Sequence, residues 1–267
     1  MLTVVKNYWR FFKKSIRCNL SSVLEYKKSF IIQSIFMMFN NFFFLIFWIV
    51  VFNANGGNIE GITINDILYL WSIPVIAYGV SFFFFGGTRN LGKFILEGGL
   101  DSYLTQPKNV IISVMFSAMD FGAFGDLVYG LGLGLFAVEF NIWKYLLLIS
   151  FGLIGSVFFI CTQVLIRLLT IWVGNTDDFE RVYTNTLLIT FANYPESIYN
   201  NVIKFLIYTV IPSAYVSFVP IKFINTLNIK YLISFLAVGL VYILMTAVIS
   251  KRVLEKYESG NNITLKE

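Results

Sequence analysis

The sequence predicts an all-α integral membrane protein of six transmembrane helices, with both termini cytoplasmic and an amphipathic interfacial helix at the N-terminus. Three observations lead there. Of 267 residues, 57% are hydrophobic, 18% aromatic and only 13% charged, and the mean hydropathy is +0.74. A water-soluble domain carries about 25% charged residues. Several apolar runs reach about 20 residues, the length that crosses a bilayer. Finally, the Lys and Arg residues gather at alternate ends of those runs, the asymmetry that sets orientation.

The elements follow in order. Residues 1–29 carry Lys6, Arg10, Lys13, Lys14, Arg17, Lys27 and Lys28 against the single acid Glu25. Val5, Trp9, Phe12, Ile16 and Leu20 recur at spacings of three and four, so they share one face of a helix that lies on the membrane surface. The first span covers about 30–52, and Asn55-Gly56-Gly57-Asn58 marks the turn after it. The loop up to Asp66 has no Lys or Arg, which puts it outside and the N-terminus inside.

A second span over about 66–86 returns to a basic cytoplasmic segment, 87–120, with Arg89, Lys93 and Lys108. Asp120 and Asp126 are expensive in hydrocarbon, so the third span is set at 124–142, with both acids near its start as caps or solvated groups. Gly130 and Gly134 in that span form a pair that lets another helix approach closely. The fourth span, 145–173, contains Arg167 close enough to its cytoplasmic end to snorkel; a contact with a transport pathway or a subunit interface is the other reading.

Residues 176–192 open on Asp177-Asp178, acids suited to a first helical turn, and align Phe179, Val182, Tyr183, Thr186, Leu187, Thr190 and Phe191 on one face. They predict a cytoplasmic interfacial helix, broken by Tyr194-Pro195. The fifth span, 203–224, contains Pro212 and Pro220, and Pro212 bends or breaks it near its middle, as a gating kink or a static one. A sixth span over 229–250 leads to a cytoplasmic tail, 251–267. On this topology every Lys and Arg of the 20 lies on the cytoplasmic side or at a cytoplasmic span end, except Lys144, Lys222 and Lys230.

The composition also excludes functions. The chain has no His, which removes the commonest general base and metal ligand, and Cys18 and Cys161 alone build neither a zinc site nor a disulfide framework. Gly87-Thr88-Arg89-Asn90-Leu91-Gly92-Lys93 matches seven positions of a phosphate-binding P-loop. Phe94 then stands where the magnesium-binding hydroxyl belongs, and the stretch follows a span where a P-loop follows a strand. No catalytic or metal residue is assigned, and no nucleic-acid surface is expected.

In the same segment, Glu97-Gly98-Gly99-Leu100-Asp101-Ser102-Tyr103-Leu104-Thr105-Gln106-Pro107 reads as a short knob. The paired glycines permit a sharp turn, Asp101 caps the turn that follows, Leu104 gives it an apolar contact, and Pro107 ends it. Such a knob suits a membrane protein that receives force from a soluble partner, and an ordinary capped loop is the other reading.

Three stretches together resemble the ABC-2 family of ABC transporter permeases, in its six-span bacterial exporter branch. They are Gly99-Leu100-Asp101 with Leu104 and Pro107; Phe191-Ala192 with Tyr194-Pro195 and Ile198-Tyr199; and Ile211-Pro212 with Ala214 and Pro220. Asn193 stands where that family's pattern leads one to expect a basic residue. The resemblance implies a plasma-membrane permease subunit of an ATP-driven exporter that is not itself an enzyme. Glu97 to Pro107 would then dock on cytoplasmic ABC ATPase subunits, which hold the ATP and Mg. A second permease subunit, identical or a related paralogue, would complete the pathway. The Phe-rich, nearly uncharged spans suggest a hydrophobic or amphiphilic cargo: a drug, lipid or peptide. Two alternatives stay open: a non-transporting immunity or sensor partner of an ATPase, and an intramembrane enzyme acting on lipid.

Overall fold

A computed structural model describes residues 2–57, 59 and 62–257. The tail from residue 258, with Lys266, lies outside the described residues, as do Asn58 and the side chain of Val5. The helices run α1 (Leu2–Glu25), α2 (Lys27–Ala54), α3 (Ile64–Phe85), α4 (Leu91–Leu96), α5 (Asp101–Leu104), α6 (Val110–Met115), α7 (Gly122–Ala137), α8 (Ile142–Leu168) and α9 (Thr170–Val173). They continue through α10 (Asp177–Arg181), a π-helical stretch Val182–Leu188, α11 (Ile189–Asn193), α12 (Asn201–Thr209), α13 (Ser213–Val216), α14 (Phe218–Thr226) and α15 (Ile229–Leu254). Four helical runs, beginning at Lys27, Ile64, Ile142 and Ile229, are long and apolar enough to cross a membrane, and α7 is a shorter apolar helix.

At the centre lies α3, whose Ile73, Ile76 and Ala77 are fully buried against α7 and α8. The approach is close: a Cβ at Gly130 would lie 2.9 Å from Ile76 Cγ1, and one at Gly79 would lie 2.7 Å from the Leu127 backbone nitrogen. Gly130 and Gly134 thus serve packing within the chain, against α3 and α8 respectively. Beside this core, α2 buries Ser34, Asn41 and Trp48, seven residues apart, and leaves Phe36, Phe43, Phe47 and Val50 exposed. An apolar outside and a partly polar inside are the arrangement that suits a lipid-facing helix.

The bundle has two chemically different ends. At the basic end, Leu91 and Ile95 of α4, Val164 and Leu168 of α8 and Val253 of α15 share one buried cluster, close to Arg89, Arg167, Lys251 and Arg252. At the far end, Asn65 beside α3 bonds Glu139 after α7, and the asparagines Asn141 and Asn228 cap α8 and α15.

Between these ends the structure departs from the sequence expectation in two places. Residues 177–193 do not lie across one face. They start beside Arg167 at the basic end, bury Leu188 and Ala192 in the main core, and finish where Tyr194 packs on Phe44 and Trp48 at the far end. The interfacial reading of 176–192 followed its most apolar face. Of that face Phe179 and Val182 are exposed and Tyr183, Leu187 and Phe191 only half-buried against the core, while the buried stripe is Glu180, Thr184, Leu188 and Ala192.

Residues 203–224, expected as one span, are divided among α12, α13 and α14. Here α12 descends from the far end to Val210, whose carbonyl accepts hydrogen bonds from Tyr183 (2.7 Å) and from Tyr242 (3.2 Å), midway along α15. After the bend, α14 climbs back beside Phe151 and Phe235. Lys222 there meets Glu196 at 2.6 Å and the Tyr208 hydroxyl at 3.1 Å, which ties the two arms of the hairpin to each other and to Glu196. Pro212 thus stands in the bend of a re-entrant hairpin rather than inside a continuous helix. Pro220 is the third residue of α14, in the first turn, where a missing N–H costs no helical bond.

Candidate functional site

The segment joining α3 to α7 folds back on itself at the basic end. The Gly87 N–H donates to the Ala118 carbonyl (3.0 Å) and the Asp120 N–H to the Phe82 carbonyl (3.1 Å), so both ends of the segment are tied together. Arg89 pairs with Asp120, donates to the Tyr78 hydroxyl at 3.0 Å and lies 4.0 Å over the Phe82 ring. Gly87 spends its N–H on the Ala118 carbonyl, so this amide of the P-loop-like stretch is not free for a phosphate.

On this base sits the knob. Gly98 turns the chain at φ +76°, a conformation that favours glycine, and sends Leu100 back into the cluster under α4. Leu100 is fully buried, a contribution of about 2 kcal/mol. It takes the anchoring role expected of Leu104, whose side chain is 43% exposed. Asp101 is the first residue of α5, and Leu100 holds the cap position that the sequence reading gave to Asp101. Glu97, Asp101, Leu104 and Pro107 all lie at the surface, while Gly98, Gly99 and Leu100 shape and anchor the turn. Lys93 and Glu97 face each other one turn apart at 3.9 Å.

Two other parts of the chain hold the knob. Tyr8 of α1 accepts the Asn109 N–H at 2.8 Å, and Phe11 and Phe12 pack on Phe116, so α1 lies against the α6 side of the segment. The face turned to the protein holds Tyr8, Phe12 and Ile16, while Trp9 and Leu20 of the expected apolar face are exposed. From the other side Tyr257 packs into the same cluster as Leu100; burial and the nearby Asp101 carboxylate push its phenol up to about 12.

Behind the knob lies a buried polar network. Arg167 is 6% exposed and does not snorkel. It pairs with Asp177 and, at 3.1 Å, with Glu180, which is itself 5% exposed. The Gln163 amide donates to Glu180 at 2.9 Å, and the Thr88 hydroxyl donates to Gln163. Thr170 and Thr176 share a 2.7 Å hydroxyl contact beside them. Thr88 adjoins α4, Gln163 and Arg167 sit on α8, and Glu180 on α10, so the network ties the root of the knob to the start of the 177–193 run. Glu180 carried a readable signal: an acid spaced like Asp177 near a span that holds an unpaired arginine.

The remaining site residues are not brought to the knob. Tyr194 and Pro195 sit at the far end, Tyr194 within ring contact of Trp48 at 5.7 Å, and Pro212 lies in the hairpin bend. Asp126 is 6% exposed inside α7 and accepts a hydrogen bond from Asn41 at 2.5 Å, so neither capping nor solvation accounts for it. A sequence model described as "ABC-2 family transporter protein" matches residues 18–261, most of the chain. No curated protein and no solved structure matches it.

Proposed function

The chain belongs to the ABC-2 family of transporter proteins, as the membrane component of an ABC transporter, and from that premise we propose that it is the permease of an ATP-driven exporter. In this reading it sits in a bacterial plasma membrane with both termini cytoplasmic. Its six traverses are α2, α3, α7, α8, the 177–193 run and α15, and the basic end is cytoplasmic because Lys and Arg concentrate there. α1 lies in the headgroup layer with its basic residues toward anionic lipid.

The observation that carries the reading is the knob: an exposed Asp101-to-Pro107 surface on a buried Leu100 anchor, joined through Thr88 and Gln163 to Arg167 and Glu180. Force applied by a separate ATPase at Asp101 and Leu104 reaches α8 and the 177–193 run through packed and ion-paired groups, not through a mobile loop. Two permease subunits, identical or related, rock between inward-open and outward-open arrangements as paired ATPases close on ATP. A hydrophobic or amphiphilic cargo passes between them.

The test is co-expression with the ABC ATPase encoded beside this chain, followed by affinity capture. Wild type is expected to hold the ATPase, and Asp101→Lys and Leu104→Glu to hold about tenfold less, as central contacts of a small interface do. No capture by wild type overturns the permease reading, whereas equal capture by both variants overturns only the docking assignment. Direction is read separately in inside-out vesicles, where export appears as ATP-dependent accumulation in the lumen.

A further inference from the structure

Between α2, α3, α7 and the 177–193 run lies a cleft of about 330 Å³. Its polar wall is made of Asn40, Asn41, Asp126, Asn185 and Asn193. Its apolar wall includes Met37, Phe44, Trp71 and Val75, with Phe44 and Trp71 stacked at 3.8 Å between ring centroids. Met37, Tyr78 and Asn185 also line a second cavity, of about 470 Å³, bounded by Arg89, Arg167 and Glu180. The two cavities share this part of their lining, the second one charged and the first one rich in amides.

Two buried acceptors of the inner cleft are short of donors. Asp126 is 6% exposed; its one recorded hydrogen-bond donor is the Asn41 amide, and among the described residues no cation pairs with it. The nearest guanidinium, Arg89, is committed to Asp120 and Tyr78. Asn41 also donates to the Met37 carbonyl at 2.9 Å. Asn193 also lines the cleft and is 2% exposed, and its buried amide oxygen has no hydrogen-bond partner. A buried carboxylate and an orphaned amide oxygen are acceptors in want of a donor, and leaving them so is costly.

We propose that this cleft is a cargo-binding site for cationic amphiphiles, with a primary ammonium held by Asp126 and the Asn193 carbonyl and an apolar body laid on Phe44, Trp71 and Val75. An ammonium supplies three donors and the missing positive charge, and the stacked rings favour both a cation and an apolar body. The proposal rests on the permease reading for its meaning as a cargo site, but binding to the chain alone needs no ATPase, so either can fail without the other.

The test uses the full chain in nanodiscs of zwitterionic lipid, with dansylcadaverine as probe and Trp-to-dansyl energy transfer as readout, corrected with empty nanodiscs. Saturable binding is expected. N-pentyl dansylamide, which lacks the ammonium, should bind about tenfold more weakly, the scale of a lost charge-assisted contact. Asp126→Asn, which keeps the shape and a partner for Asn41, should weaken dansylcadaverine by a similar factor, about tenfold, and leave the neutral compound unaffected. Asn193→Leu should weaken it by about threefold and covers the case in which Asp126→Asn fails to fold. Equal affinity for the charged and neutral probes, or unchanged affinity in both variants, overturns the proposal.

Discussion

At the residue scale, Arg167 and Glu180 form the one recorded ion pair in which both side chains are almost fully enclosed, each 7% exposed. Removing one member strands the other without water, at a cost of about 3–5 kcal/mol, whereas removing both together can be nearly neutral. Arg167→Met and Glu180→Leu are each expected to lower the thermal unfolding midpoint in detergent sharply, and the double variant to recover most of the loss. Additive losses would mean that the two side chains do not depend on each other. The sequence shows Arg167 to be unusual but points to the wrong partner. A long side chain near a span end reads as one that reaches water, and nothing in its own helix reveals that Glu180 returns to it after the turn at Gly174. Leu100 and Leu104 show the same limit on a smaller scale. Both are apolar and three residues from an end of the knob, and only the turn set by Gly98 decides which is buried.

At the element scale, the long spans were legible as continuous apolar runs, which is how α2, α3, α8 and α15 are recognisable from sequence. The 177–193 run was not, because its inward stripe begins with Glu180 and Thr184 while Phe179 and Val182 of its apolar face are exposed. Amphipathicity read with soluble-protein logic puts such a helix the wrong way round. Four of its buried residues fall every four positions, at 180, 184, 188 and 192, and an α-helix of 3.6 residues per turn drifts off such a stripe. The wider π-helical turns over Val182–Leu188 absorb the drift. Deleting Thr186, which is exposed, changes the spacing to one an ordinary α-helix satisfies, so this variant is expected to fold with an unfolding midpoint near wild type. Inserting one alanine after Thr186 instead turns α11 by about 100°, swings Leu188 and Ala192 out of the core, and should prevent stable folding. Equal damage from deletion and insertion would mean that the four-residue stripe does not set the register.

At the scale of the whole molecule, the count of six traverses is the same in the sequence reading and in the arrangement proposed from the structure, but their assignment differs after residue 175. The sequence reading leaves 176–192 on the cytoplasmic face and makes 203–224 the fifth span. The structure runs 177–193 from one end of the bundle to the other and folds 201–226 into a hairpin that enters and leaves by the far end. The charge pattern does not choose between them. Lys204 moves to the far end with Lys144, Lys222 and Lys230, and most of the basic residues still stay at the other end. Accessibility does choose. In a background with Cys18 and Cys161 replaced, Ile198→Cys lies on an exposed side chain just after Tyr194-Pro195, and Gln106→Cys on the exposed knob. A membrane-impermeant maleimide added to intact cells is expected to label Ile198→Cys and to spare Gln106→Cys until the membrane is opened. Labelling of both only after permeabilisation would return 176–199 to the cytoplasmic face. It would also separate Glu180 from Asn193 and so remove the wall that the 177–193 run gives the proposed cleft.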